Sequence, residues 1–176
     1  MSFVVVADFL VVEDVMPTME HMQKELEQCK INTQVDQIFI DAYDTIFMDG
    51  MDSIFSRDLQ SIIQKYGNKA ITGIEWAILK FEKTRPDLAS ETLRQIGSNT
   101  HQATHQNRLR VLTDNLESPD PRIRDAAGIG IAAMDDTKAI WYIRQAIERE
   151  KSIPLQHNLE LVLKQLLAKI PTNPLY

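Results

Sequence analysis

The chain has 176 residues, 44% of them hydrophobic, and a formal net charge of −6 at pH 7. A chain of this length can bury the core of one domain unaided, and its single cysteine, Cys29, excludes an internal disulfide framework. The acidic balance argues against a nucleic-acid partner, because phosphate backbones are bound by clustered basic surfaces.

The N-terminal part begins with an apolar run. Residues 3–12 are almost wholly apolar, but they lack a basic leader and are too short to cross a membrane. We therefore expect no signal peptide and no membrane partner, and the cysteine usage agrees with a reducing, cytoplasmic location. The β-branched content of the run favours a strand, whereas an all-helical protein favours a capping helix; we favour the helix, and the strand stays open.

A helix is expected to start at Pro17, because proline fits the first helical turn and apolar residues follow it at helical spacing: Met19, Met22, Leu26 and Cys29. We interpret residues 1–34 as an N-terminal capping segment that shields the first repeat. Helical spacing continues in the next residues, at Val35, Ile38, Phe39, Ala42 and Ile46.

Residues 35–170 alternate apolar helical stripes with residues that begin or end helices, and residues 171–176 follow as a tail. Gly67 is placed to end one helix in a left-handed conformation, and Gly97 to close another. The second helices of successive pairs are expected to begin near Asp58, Pro86, Pro121 and Pro154, with spacings of 28, 35 and 33 residues. Two helices per unit at such a period indicate an α-solenoid.

The best-formed unit spans residues 116–136. Asp120 is the expected N-cap of a helix that begins at Pro121. Gly128 and Gly130 each cost a helix about 1 kcal/mol relative to alanine, so they indicate close approach by a neighbouring helix. Asp135 and Asp136 then restart the chain as caps for the next helix.

This unit resembles a HEAT repeat, in the short form of phycobilisome lyase-type HEAT-like proteins. The resemblance rests on Asp-Pro at residues 120–121, on Ile-Arg-Asp-Ala-Ala at 123–127, and on Asp-Asp at 135–136 after the helix. The resemblance extends over residues 102–168, and more weakly over residues 57–97. It implies an all-α, right-handed α-α superhelix of about three to four hairpins. Arg124 and Asp136 fall where the family carries an Arg and an Asp that bond within or between repeats, whereas Ser90 and Asn158 replace that Arg in neighbouring units.

Candidate chemistry is sparse. His101 and His105 are four residues apart, but no third metal ligand accompanies them, and polar residues opening a helix are the favoured interpretation. The acidic residues between Asp41 and Asp52 do not have the spacing of a calcium loop. We assign no catalytic residue, no metal and no cofactor.

Two aromatic residues, Trp141 and Tyr142, lie beside the apolar stripe of their helix. They are either anchors of a protein interface or packing residues against the adjacent repeat. Packing against the adjacent repeat is the favoured interpretation, and the role as interface anchors stays open.

The resemblance implies a protein-binding solenoid, and we expect a non-catalytic interaction module such as an adaptor, assembly factor or inhibitor. In HEAT geometry the concave face comes from the second helices, so the candidate binding residues are Arg57, Gln64, Glu91, Arg94, Arg122, Asp125, Ile129, His157, Glu160 and Lys164. The partner's identity is not predicted, and a homo-oligomer stays open.

Two other functions remain. The type of repeat also implies a phycobilin lyase-like or chaperone subunit. Some HEAT-like solenoids resemble alkylpurine glycosylases, which suggests a DNA-processing enzyme, but the sequence pI of about 5.2 counts against it.

Overall fold

A computed structural model describes residues 18–47 and 53–170. The alternatives for residues 3–12 and the expected tail at 171–176 fall outside the described residues, as do the acidic residues Asp49 and Asp52.

The described part of the chain is built from α-helices and contains no strand, which confirms the all-α fold class. Short 3₁₀ turns at Gln102–Thr104 and Thr137–Ala139 precede the fifth and seventh helices. The eight helices are α1 (Met19–Asp41), α2 (Ile54–Tyr66), α3 (Asn68–Phe81), α4 (Pro86–Ser98), α5 (His105–Asn115), α6 (Pro121–Met134), α7 (Ile140–Arg149) and α8 (Ile153–Leu167).

The first helix runs without a break through residue 34, the boundary expected between the capping segment and the repeats. Residues 19–27 are all exposed, and burial begins only at Ile31, followed by Val35 and Phe39. These three side chains belong to the common core, and α1 packs mainly on α3. The N-terminal turns of α1 therefore extend beyond the part of the helix that is packed.

The helices pack in two series. The even-numbered helices contact one another in order, α2 with α4, α4 with α6 and α6 with α8. Among the odd-numbered helices, α1 packs on α3 and α3 on α5, and each odd helix also contacts the even helix that follows it. One continuous hydrophobic core results, extending from Ile31 in α1 to Leu166 in α8.

The starts of the even helices follow local capping chemistry. The first even helix, α2, begins at Ile54, four residues before the predicted start near Asp58. Its N-cap is Ser53, whose hydroxyl accepts the N–H of Ser56 at 3.0 Å. The Asp120 carboxylate accepts the N–H of Arg122 at 2.8 Å and caps α6. With α2 corrected, successive even helices start 32, 35 and 32 residues apart, closer to a regular period than the sequence indicated.

The tightest contact in the core joins α4 and α6. A Cβ on Gly97 would lie 2.5 Å from the carbonyl oxygen of Gly130, and a Cβ on Gly130 would lie 2.8 Å from the carbonyl oxygen of Leu93. The small residues of α6 therefore allow the close approach that the sequence indicated. Gly97 was expected to close α4, but the helix continues to Ser98 and the glycine serves this backbone contact instead.

The α4–α6 contact predicts the effect of Gly97→Ala. The added methyl group would meet backbone atoms of Gly130, which can yield only if the two helices move apart. We expect a loss of roughly 1–3 kcal/mol in the free energy of unfolding, despite the higher helix propensity of alanine, measured by urea denaturation.

Gly128→Ala is the matched control. A Cβ at Gly128 would meet only Cδ2 of Leu159, at 2.8 Å, and that flexible side-chain end can move. We expect Gly128→Ala to be much less destabilising, and equal stability of the wild type and Gly97→Ala would contradict the proposed role of the backbone contact.

Candidate functional site

The candidate binding residues all lie on the even-numbered helices, on the sides that face away from the core. Arg57 and Gln64 lie on α2, Glu91 and Arg94 on α4, and the remaining six on α6 and α8. Glu91, Arg94 and Asp125 are half-buried, and the others are exposed. We call these residues together with Leu161 of α8 the even-helix surface.

Hydrogen bonds fix the register of α6 and α8 within this surface. Asn158 Nδ2 donates to Asp125 Oδ1 at 3.0 Å, and seven residues further along Gln165 Nε2 donates to the carbonyl oxygen of Ala132 at 2.9 Å. These two contacts bracket Ile129 and Leu161, which therefore lie at the same level on adjacent helices. Sequence reasoning included Ile129 but missed Leu161, because α8 is apolar on more than one side.

Ile129 and Leu161 are exposed by 43% and 53%. Charged residues of both signs lie on the same two helices, Arg122 and Asp125 on α6 and Glu160 and Lys164 on α8. Some charged members of the even-helix surface are already paired. Arg94 Nη1 donates to Glu91 Oε2 at 3.1 Å, and Arg122 Nη2 to Asp120 Oδ2 at 3.0 Å. The surface thus combines two apolar side chains with a polar surround of mixed charge.

Arg124 forms a structural joint with Glu150. Nε and Nη2 of Arg124 donate to the two Glu150 oxygens at 2.8 and 2.9 Å, and Nη1 donates to the carbonyl oxygen of Ser118 at 2.9 Å. The Glu150 side chain is 1% exposed, and its Oε1 also accepts the N–H groups of Lys151 and Ser152. The Arg124 guanidinium, aided by these N–H groups, lowers the pKa of Glu150 to about 2 against the effect of burial.

A second joint connects Asp136 with His105. Asp136 Oδ2 lies 2.7 Å from His105 Nε2, and Oδ1 accepts the N–H of Lys138 at 2.9 Å. Burial alone would raise the pKa of Asp136, but the Lys138 N–H and the His105 ring together hold it below its usual value. Both joints connect the α5–α6 pair with the α7–α8 pair. The acid that meets Arg124 is therefore a glutamate that the sequence did not single out.

Arg108 is a further buried polar residue that sequence reasoning missed. Its Nη1 donates to the carbonyl oxygen of Ile96 at 2.8 Å and its Nε to Thr104 Oγ1 at 3.0 Å. Burial lowers the pKa of Arg108. The signal lay in the spacing, because Arg108 stands four residues before the buried Leu112 on the same face of α5. Its hydrogen bond to Ile96 satisfies a carbonyl in the last turn of α4.

The two aromatic candidates lie on α7, on an odd-numbered helix. Trp141 and Tyr142 are both exposed, and their rings meet edge to face with centroids 5.0 Å apart. They line an open cleft of about 300 Å³ together with Thr113, Asp114 and Glu117 at the end of α5. Trp141 is thus available to a partner from the side of the molecule formed by the odd helices.

The described residues contain no group of three His, Cys, Asp or Glu side chains placed to hold a metal ion. His105 contacts Asp136, and His101 Nδ1 is buried without a hydrogen-bond partner among these residues. Within the same part of the chain, no helix combines the length and apolarity needed to cross a membrane.

Comparisons with protein-family models, curated proteins and solved structures each find no match to this chain. The geometry of the helices and their surfaces therefore carries the functional interpretation.

The Arg124–Glu150 joint predicts a pH-dependent stability. The folded pKa of Glu150 lies below its ordinary value of 4.5, so ionised Glu150 stabilises the fold above about pH 4.5, and this contribution is lost as the pH falls towards 2. We expect Glu150→Gln to lose roughly 2–3 kcal/mol in the free energy of unfolding at pH 7, and the deficit to shrink below pH 4.5.

Glu117→Gln is the control for this prediction. Glu117 Oε1 accepts from Arg149 Nη1 at 2.9 Å in the same region, but both side chains are mostly exposed. Exposed pairs contribute roughly 0–1 kcal/mol, so this variant should differ little from the wild type. Equal denaturation curves for both variants at pH 7 would contradict the structural role of Glu150.

Proposed function

We propose that this chain is a non-catalytic protein-binding module whose helices form a short HEAT-like solenoid of four hairpins. The serial contacts of the even helices and the near-constant spacing of their starts support a repeated unit. The two joints at Arg124 and Asp136 support it too, because both connect consecutive helix pairs. In such an array the outward sides of neighbouring helices form one extended surface.

The observation that carries the binding proposal is the exposed pair Ile129 and Leu161 within a polar surround. Protein interfaces commonly concentrate binding energy in a few central apolar side chains, while polar residues at the rim exclude water and set orientation. Arg122, His157 and Lys164 supply positive or protonatable groups, and Asp125 and Glu160 supply negative ones. This distribution fits a protein partner with an apolar anchor and mixed charge, and it does not fit a polyanion.

The exposed aromatic pair on α7 supports a second candidate surface for the same function. Trp141 and Tyr142 bring the large amphipathic side chains that are enriched at interface centres, next to an open cleft. This surface belongs to the odd helices, whereas Ile129 and Leu161 belong to the even ones. Variants can therefore separate the two surfaces.

The test is affinity capture from a lysate of the source cells with the purified chain and its variants. We expect the wild type to capture a specific protein and the double variant Ile129→Asp, Leu161→Asp to lose it, because two charges would be buried unpaired in the complex. Both side chains are exposed, so the melting temperature of this variant should stay close to that of the wild type.

Trp141→Ser tests the second surface in the same experiment. Capture that survives Trp141→Ser but not the double variant assigns binding to the even-helix surface, and the reverse result assigns it to α7. Full capture by both variants would refute both surfaces, and failure of the wild type to capture any specific protein would refute the proposed function.

A further inference from the structure

The first helix carries an apolar stripe that faces away from the core. Met19, Met22 and Leu26 are exposed by 74%, 52% and 57%, and the exposed Cys29 continues their spacing along the helix. They line a shallow groove of about 530 Å³. The core-facing side chains of α1, Ile31, Val35 and Phe39, lie on the opposite face, so this stripe is additional to the core.

A stripe of this composition is costly to leave in water, because it groups apolar side chains on one helix face. The spacing of three and four residues is that of a seam between paired helices or of a helix covered by another apolar segment. No other described helix covers it, since residues 19–27 extend beyond the packed part of α1.

We propose that the stripe is covered by residues 3–12 of the same chain. Nine of these ten residues are apolar, with Asp8 as the exception. From Met19 to Cys29 the stripe extends about 15 Å at the helical rise of 1.5 Å per residue, and ten residues reach that far in either a helical or an extended conformation. Residues 13–18 leave six residues for the connection to α1, within the usual length of helix–helix connections.

A tethered segment fits this surface better than a second molecule does. Stable complexes of separate chains usually bury roughly 1,200–2,000 Å², far more than four side chains on one helix face provide. An attached segment avoids the loss of translational and rotational freedom that a separate partner incurs, so a smaller apolar contact suffices. A second copy of the chain is therefore the rival occupant that the test excludes.

The only cysteine of the chain lies in the stripe and serves as a native probe. The experiment measures the rate at which the Cys29 thiol of the intact chain reacts with Ellman's reagent, over a range of protein concentrations. We expect Leu10→Asp to raise this rate at least about tenfold, as expected for the loss of roughly one buried apolar contact, and the wild-type rate to be independent of protein concentration. Ile153→Asp, which adds the same charge at an exposed position on α8, should react like the wild type.

Each alternative result overturns the proposal. Equal rates for the wild type and Leu10→Asp would show that residues 3–12 do not cover Cys29. Protection that increases with protein concentration would assign the stripe to a second copy. If the Cys29 thiol of the folded wild type reacted as fast as that of the same chain unfolded in guanidinium, nothing would cover Cys29. This conclusion would hold for any rates measured with the variants.

Discussion

The structure depends on the backbone contact between α4 and α6. Gly97 and Gly130 lack the Cβ atoms that would separate these helices, so buried side chains such as Leu93 and Leu112 can close around the crossing. Because α4 also contacts α2 and α6 also contacts α8, this one crossing joins the N-terminal and C-terminal halves of the even series. The cost of two helical glycines is offset by the packing that their small size allows.

The joints and the even-helix surface follow from this arrangement. Once α6 is placed, Arg124 reaches Glu150 and Asp136 reaches His105, and both contacts orient the α7–α8 pair. The same placement sets α6 and α8 in register, so that Ile129 and Leu161 come to one level. The proposed binding surface is thus a consequence of how neighbouring helix pairs stack, and the polar joints are better understood as structural contacts than as chemistry.

Local signals in the sequence predicted much of this architecture. Proline starts and the Asp120 cap placed α4, α6 and α8 to within one residue, because these signals act within a few residues. The exact partner of Arg124 could not be predicted, since Glu150 is brought to it only by tertiary packing. Leu161 was missed for a similar reason: which apolar residues of α8 stay exposed depends on where α6 and α7 lie. The spacing of Arg108 to Leu112 indicated a buried position, but its hydrogen-bond acceptor, the Ile96 carbonyl at the end of α4, is brought to it only by tertiary packing.

Native-state hydrogen exchange tests the central role of the α4–α6 crossing most directly. If this contact holds the two halves together, the backbone amides around Leu93–Gly97 and Ala127–Ile131 should exchange only through global unfolding and be the slowest in the chain. The exposed first turns of α1 should exchange far faster through local opening. If the α4 and α6 amides exchanged as fast as the amides of the first turns of α1, the α4–α6 crossing would not be what holds the two halves together.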